Sequence, residues 1–284
     1  MKTEYSVLMT VYRGTDAAEL VESADSMIHQ TVPPAEVVIV ADGPLTPEVD
    51  ATLDRYVQAL GATMFRIVRL PENHGAGYAS NIGVGACRCE LIARMDSDDI
   101  SDVTRIEKQL RVFEKHPEYA AVGCWAQEFI TGQGPVSTVQ LPVEPDEVRA
   151  FARRRCPVRH PCLLLCKKAL ERAGGYRDIR FAEEWDIVNR MLQAGFACCN
   201  VPEPLVSVRV GEDFYARRGG MQIAKRILSF KTEMLKNGQM GIVDYIISAG
   251  ASLVVCLMPN FLRRLVYEKG LRKTTEARGT GRYA

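Results

Sequence analysis

Three carboxylates fall within four residues at Asp96-Ser97-Asp98-Asp99, directly after the apolar run Leu91–Met95. Unpaired carboxylates at the end of a buried strand repel one another and desolvate badly. A hard divalent cation, held by oxygen ligands and sharing its other positions with phosphate oxygens, resolves that conflict. The competing reading is an acidic helix start, because Asp is a good N-cap and Asp102 lies just before a helical pattern. Thiol chemistry is the weaker option. Cys87-Arg-Cys89 and Cys162…Cys166 are the nearest approaches to metal pairs, and no second pair stands at zinc-site spacing. The nine cysteines are odd in number and scattered through apolar runs, which suits buried, reduced thiols.

The acidic cluster must be positioned by the elements around it. Over the first 125 residues, strand and helix patterns alternate. Strands are expected at Tyr5–Val11, Glu36–Ala41, Met64–Leu70, Leu91–Met95 and Ala120–Phe129. Helices are expected at Ala17–His29, Pro47–Leu60, Gly77–Cys87 and Val103–Lys115. Continuous apolar strands alternating with helices imply a mostly parallel α/β sheet covered on both faces. Right-handed crossovers gather the loops after each strand along one edge. Tyr12, Asp42-Gly43, Glu72-Asn73-His74-Gly75 and Asp96-Ser97-Asp98 all follow strands there, at the carboxyl ends where open α/β sheets bind ligands. Turn chemistry alone explains each loop taken singly, but not why the most acidic loop shares an edge with the others.

Beyond residue 130 the pattern loosens. Thr131–Pro145 reads as an irregular connection rich in Gly and Pro. A short helix over Asp146–Arg155 ends in a basic cluster. His160–Cys166 is expected as a strand, Lys167–Ala173 as a helix closed by Gly174-Gly175, and Phe181–Gly195 as a helix stopped by its glycine. Ala197–Val201 and Leu205–Val210 read as two strands. Met221–Lys236 is amphipathic. Tyr245–Leu262 carries no charge over eighteen positions and is followed by Arg263-Arg264. That is the lower limit for a membrane span, and a helix lying on the cytoplasmic face of a membrane fits it. An ordinary helix pair packed on the domain is the alternative. The division expected is residues 1–220 and a helical extension over 221–284.

The net charge of +1 gives no push toward nucleic acid. The N-terminus runs directly into a strand pattern, with no signal-peptide features.

Four motifs occur in order: Ser6–Tyr12, Gln30-Thr-x-Pro-x-x-Glu-Val-Val-Ile-Val-x-Asp-Gly43, Asn73-x-Gly75 with Asn81-x-Gly83, and Met95-Asp-Ser-Asp-Asp99. Over roughly residues 5–210 the chain resembles family 2 glycosyltransferases of the GT-A fold. Val40–Thr46 and Val210…Gly220 resemble the amylovoran-type exopolysaccharide and lipopolysaccharide enzymes among them. The resemblance implies an inverting, metal-dependent transfer from a nucleotide-sugar, by default a UDP-sugar, to a glycan or lipid-linked acceptor. The site of action implied is the inner face of the plasma membrane. Thr10, Val11 and Tyr12 would line the base, and Asp42 would accept from a base N–H. Asn73 and the Gly75–Asn81 segment would border base and ribose. Asp98 would ligate Mn²⁺ or Mg²⁺, with Asp96 on the ribose or a metal-bound water. The family's Glu-Asp motif, which supplies the general base, matches Glu183-Glu184. Glu184 stands where Asp is usual, so either glutamate could be the base.

Bland readings stand beside these roles. Acids in a first helical turn complement the dipole, and Asp186 can pair with Arg190. His160 reads as a core or turn histidine, or as an acceptor-side contact. Arg217 and Arg218 could clamp a diphosphate or form a solvated pair. A nucleotidyltransferase is the alternative enzyme, although Val11–Asp16 lacks its Gly-rich basic loop. A non-catalytic scaffold in polysaccharide assembly is the alternative outside enzymology.

Overall fold

The computed structural model describes residues 4–179, 181–211, 219–265 and 273–274. The chain runs β1 (Tyr5–Val11), α1 (Ala17–Ile28), β2 (Glu36–Ala41), α2 (Pro47–Leu60), β3 (Phe65–Arg69), α3 (Ala76–Ala86), β4 (Leu91–Met95), β5 (Ile100–Ser101) and α4 (Arg105–Lys115). It continues through β6 (Tyr119–Ile130), β7 (Gly134–Val139), α5 (Pro145–Ala152), β8 (Leu164–Cys166), α6 (Lys167–Arg172), α7 (Glu183–Gln193) and β9 (Ala197–Arg209). The described chain closes with α8 (Met221–Lys236), α9 (Ile242–Leu257), α10 (Asn260–Leu265) and β10 (Lys273–Thr274).

The sheet order is β10-β7-β6-β8-β4-β1-β2-β3, with β9 along β6 and β5 on β9. The half built from β3, β2, β1 and β4 is parallel, as the alternating pattern requires. Beyond β4 the sheet is mixed. β8 runs antiparallel to β4 and β6, β7 antiparallel to β6, and only β9 pairs with β6 in parallel. Period-two alternation divides each strand between two cores. Val7, Met9, Ala93 and Met95 face one; Leu8 and Ile92 face the other. Caps fix the helix starts. The Asp16 carboxylate accepts from the Ala18 and Glu19 amides at 2.8 and 3.0 Å, and Thr46 caps α2 ahead of Pro47.

Four expectations change. The Thr131–Pro145 connection contains β7, which returns on β6 through Gly132 and Gly134 at φ 74° and 84°. The strand expected over 160–166 is divided into a 3₁₀ turn, His160–Cys162, and the shorter β8. The two strands of 197–210 are one element, β9, in which Pro202 and Pro204 coincide with register shifts against β6. The uncharged C-terminal stretch is broken at Pro259 into α9 and α10. Among the described residues no helix is long and apolar enough to cross a membrane. Trp185, Phe230, Met234 and Met240 form a separate apolar cluster that fastens α8 onto α7.

Candidate active site

The loops after β1, β2 and β4 meet at one sheet edge, and hydrogen bonds set their positions. Asp42, buried after β2, accepts from the His74 amide at 2.8 Å, the Gly75 amide at 2.8 Å and the Asn73 side-chain amide at 2.9 Å. Its own amide donates to the Val11 carbonyl at 2.8 Å. Asp42 therefore ties the first three strand ends together and retains lone pairs for a further donor. A Cβ on Gly43, at φ 85°, would lie 2.8 Å from the Asn73 amide nitrogen, so this close approach needs glycine. Tyr12 is 53 % exposed, whereas the Val11 side chain is core. Only the backbone of Val11 can face a ligand. Asn81, exposed on α3, accepts from the Tyr176 amide at 3.2 Å and so borders the 175–177 segment.

The acidic cluster is three environments. Ile92, Arg94 and Asp96 share one strand face by alternation, together with Leu8 and Thr10 of β1. Arg94, 1 % exposed, pairs with Asp96 at 2.7 Å and donates to the Thr10 hydroxyl at 3.2 Å. Burial disfavours the Asp96 charge, but Arg94 outweighs it and holds that carboxyl below its ordinary range. The Asp96 carbonyl accepts from the buried Ser23 hydroxyl at 2.6 Å. Asp99 is buried and accepts from the Arg209 amide at 2.8 Å, and burial together with Asp96 and Asp98 pushes its carboxyl well up. Asp98 is pushed to about 6 by burial and then by the charge of Asp96. It has no ion-pair partner among the described residues.

Arg209 fastens this loop. Its side chain donates to the Asp98 carbonyl at 2.9 Å, pairs with Glu19 at 3.2 Å and Glu22 at 2.5 Å, and lies 4.7 Å from the Phe129 ring centre. The Arg105 guanidinium, buried, donates to the carbonyls of Arg94 at 3.0 Å and Leu163 at 3.2 Å. Among the described residues no three His, Cys, Asp or Glu side chains form a ready cation cage. The donor set nonetheless fits a hard cation. Asp98 forms no ion pair among the described residues, Asp96 stands beside it, and Mg²⁺ in particular is bound by one or two carboxylates plus phosphate oxygens.

The third group is the first turn of α7. Ala182 adopts φ 58°, ψ 33°, turning the chain abruptly so that Glu183 and Glu184 open the helix. Glu184 is half-buried, and its carboxyl is raised to about 7 by burial and then by the neighbouring Glu183 charge. Burial raises Glu183 as well. Both lie within electrostatic reach of Asp96. Asp186 is committed elsewhere, pairing with Arg190 at 2.6 Å as its spacing predicts, and with Arg177. His160 is buried and bonded to the Tyr176 hydroxyl at 3.1 Å. Burial and Arg94 lower it to about 3, so the ring is neutral. That is the turn-histidine reading, although the ring lies within electrostatic reach of Asp96. Arg217 and Arg218 lie outside the described residues.

Sequence reasoning missed Arg94, Arg209 and Tyr176. Arg94 had a signal, since an arginine inside a buried strand requires an anion or carbonyls. Arg209 had none, because its partners are distant in sequence.

The amylovoran biosynthesis glycosyltransferase AmsE of Erwinia amylovora is 30% identical over 93% of this chain and 98% of its own length. A UDP-Gal:alpha-D-GlcNAc-diphosphoundecaprenol beta-1,3-galactosyltransferase of Escherichia coli is 28% identical over 95% and 97%. In structure, the mannosyltransferase PcManGT of Pyrobaculum calidifontis, solved with GDP-Man and Mn²⁺, superposes with a TM-score of 0.66 at 15% identity, covering 94% of this chain and 81% of that one. The fold is that of the GT-A glycosyltransferases, a mixed curled sheet flanked by helices with a helical C-terminal region. The model for "Glycosyl transferase family 2" matches residues 6–172. That match displaces the nucleotidyltransferase alternative, and this chain belongs to glycosyl transferase family 2.

Proposed function

We propose that the chain transfers a sugar, with inversion, from a UDP-sugar to a lipid-linked glycan acceptor during cell-surface polysaccharide synthesis. The observation that carries the reading is the raised Glu184 carboxyl within electrostatic reach of the Arg94-paired Asp96. A carboxyl near 7 is well matched to accept a proton at neutral pH. Glu184 takes the acceptor hydroxyl proton as the oxygen bonds to the anomeric carbon and the bond to the diphosphate breaks. With Glu184 as base and the acceptor oxygen as the nucleophile, this single displacement inverts the anomeric centre. Thr10, the Val11 backbone and Tyr12 receive the base beside Asp42. Asn73 and Gly75 border the ribose, with Asn81 at the far end of that segment. Asp98, with Asp96 beside it, would hold Mn²⁺ or Mg²⁺, which when bound supplies Lewis-acid stabilisation of the leaving diphosphate. Arg217 and Arg218 are assigned to the diphosphate on the sequence alone.

The acceptor class rests on the Escherichia coli relative, whose name gives a diphosphoundecaprenol-linked substrate. The exposed apolar residues of α9, Ile242, Val243, Ile246, Ile247, Val254 and Leu257, support contact with a membrane surface rather than a span. Nucleoside diphosphate release from a panel of sugar donors, measured with Mn²⁺ and with a chelator, tests the reading. Metal-dependent release supports it. Absence of release from every donor would favour the scaffold.

A further inference from the structure

The geometry points to an acceptor-phosphate site in the groove between the end of α5 and the start of α9. It rests on the reading of a lipid-linked diphosphate acceptor. Residues Arg153, Arg154 and Arg155 follow α5 in succession and line a groove of about 630 Å³ with Phe151, Glu147 and Asp244. That volume suits a ligand of sugar-diphosphate size. Arg154 and Asp244 neutralise each other at 2.6 Å and anchor α9 to α5. The Arg155 guanidinium lies 5.2 Å from the Phe151 ring centre. Arg153 has no ion pair among the described residues. Arginine is the side chain whose planar fork matches phosphate oxygens bidentately.

The groove's two neighbours give the ligand its class. On one side Asp244 belongs to the first turn of α9, where Ile242 and Val243 are 58 % and 62 % exposed and begin the apolar face. On the other side the chain leads to the base. The Ala152 carbonyl accepts from the Trp185 indole at 2.8 Å, and Trp185 follows Glu184. Cys156, one residue beyond Arg155, is within electrostatic reach of both Glu183 and Glu184. The start of α9, the arginine groove and the segment beside Glu183 and Glu184 are thus contiguous. A lipid chain, its diphosphate and the acceptor sugar occur in the same succession. The dipole of α5 accounts for some positive charge at its C-terminus, but not for the apolar helix face beside it.

Calorimetry on the full chain with farnesyl diphosphate in detergent micelles tests the groove, with a chelator present to silence the donor's diphosphate corner. The wild type binds farnesyl diphosphate, and Arg153→Gln/Arg155→Gln weakens that binding by at least about tenfold, as lost charge-assisted bonds require. Farnesol, lacking phosphate, binds both proteins alike. Melting temperature verifies the fold of the double variant; if it does not fold, Arg153→Glu alone decides by the same criterion. Equal affinity of wild type and variant for farnesyl diphosphate overturns the site and leaves the arginines serving only the helix end. Equal loss of binding to phosphatidylglycerol vesicles also overturns it, in favour of general attraction to anionic bilayers. Metal-dependent donor cleavage tests the transferase reading separately, so either can fail alone.

Discussion

At the scale of residues, the site works by sorting like charges into different environments. Arg94 keeps Asp96 ionised, Asp99 is buried against the Arg209 amide, and Asp98 has no ion-pair partner among the described residues. Glu184 titrates near 7 because burial and Glu183 oppose its charge. A base must be deprotonated, so kcat/KM rises with pH up to about 7 and then levels. Replacing Glu183 by Gln removes the second of those causes and moves the limb to lower pH; a profile of kcat/KM against pH for the two proteins checks this. Arg94→Met leaves Asp96, half-buried just beyond β4, without its counter-charge. The expected cost is about 1–3 kcal/mol of stability, below the range for a fully buried pair because solvent reaches the carboxylate, measurable by urea unfolding. Sequence gave access to Asp96, Asp98 and the Asp186–Arg190 pair because strand ends and helical spacing are local. The Arg209 contacts span up to 187 positions, and nothing local announces them.

At the scale of elements, α7 aims the glutamates, and the left-handed Ala182 aims α7. Glycine adopts that conformation freely and a β-branched residue does not. Ala182→Val is expected to lose about 1–2 kcal/mol and to depress kcat, while Ala182→Gly keeps both. Thermal melting with steady-state kinetics separates the two effects. The parallel half of the sheet was legible because its buried strands are continuous apolar runs bounded by helices. The β6–β7 hairpin was hidden because Gly132 and Gly134 supply its turn but resemble an irregular loop. The continuity of β9 was hidden because Pro202 and Pro204 argue against a strand that the sheet accommodates by shifting register.

At the scale of the whole molecule, the C-terminal helices pack behind α7, and under the proposed function they would join catalysis to a membrane surface. The Trp185–Phe230 contact, with ring centres 5.3 Å apart, puts α8 directly behind the base's helix. α9 rides on α8 through Lys231, whose ammonium is buried and donates to the Ser248 carbonyl at 2.7 Å and the Ser252 hydroxyl at 2.8 Å. The outer face of α9 remains apolar, with Ile246 and Val254 each 64 % exposed. Ile246→Asp/Ile247→Asp is expected to reduce co-sedimentation with vesicles while leaving donor cleavage in solution unchanged. The amphipathic helices could be read in the sequence. Their docking on α7 could not, because it depends on which residues meet across the fold.

The proposed role of Glu184 is that of the base in a metal-assisted transfer. Its direct test is transfer from UDP-sugars to a diphosphate-lipid-linked sugar, with Mn²⁺, by the wild type, Glu184→Ala and Glu183→Ala. A loss of about 10²–10⁴-fold in kcat is expected for Glu184→Ala, with donor affinity retained and Glu183→Ala still active. Full activity in Glu184→Ala with an inactive Glu183→Ala would contradict it and assign the base to Glu183.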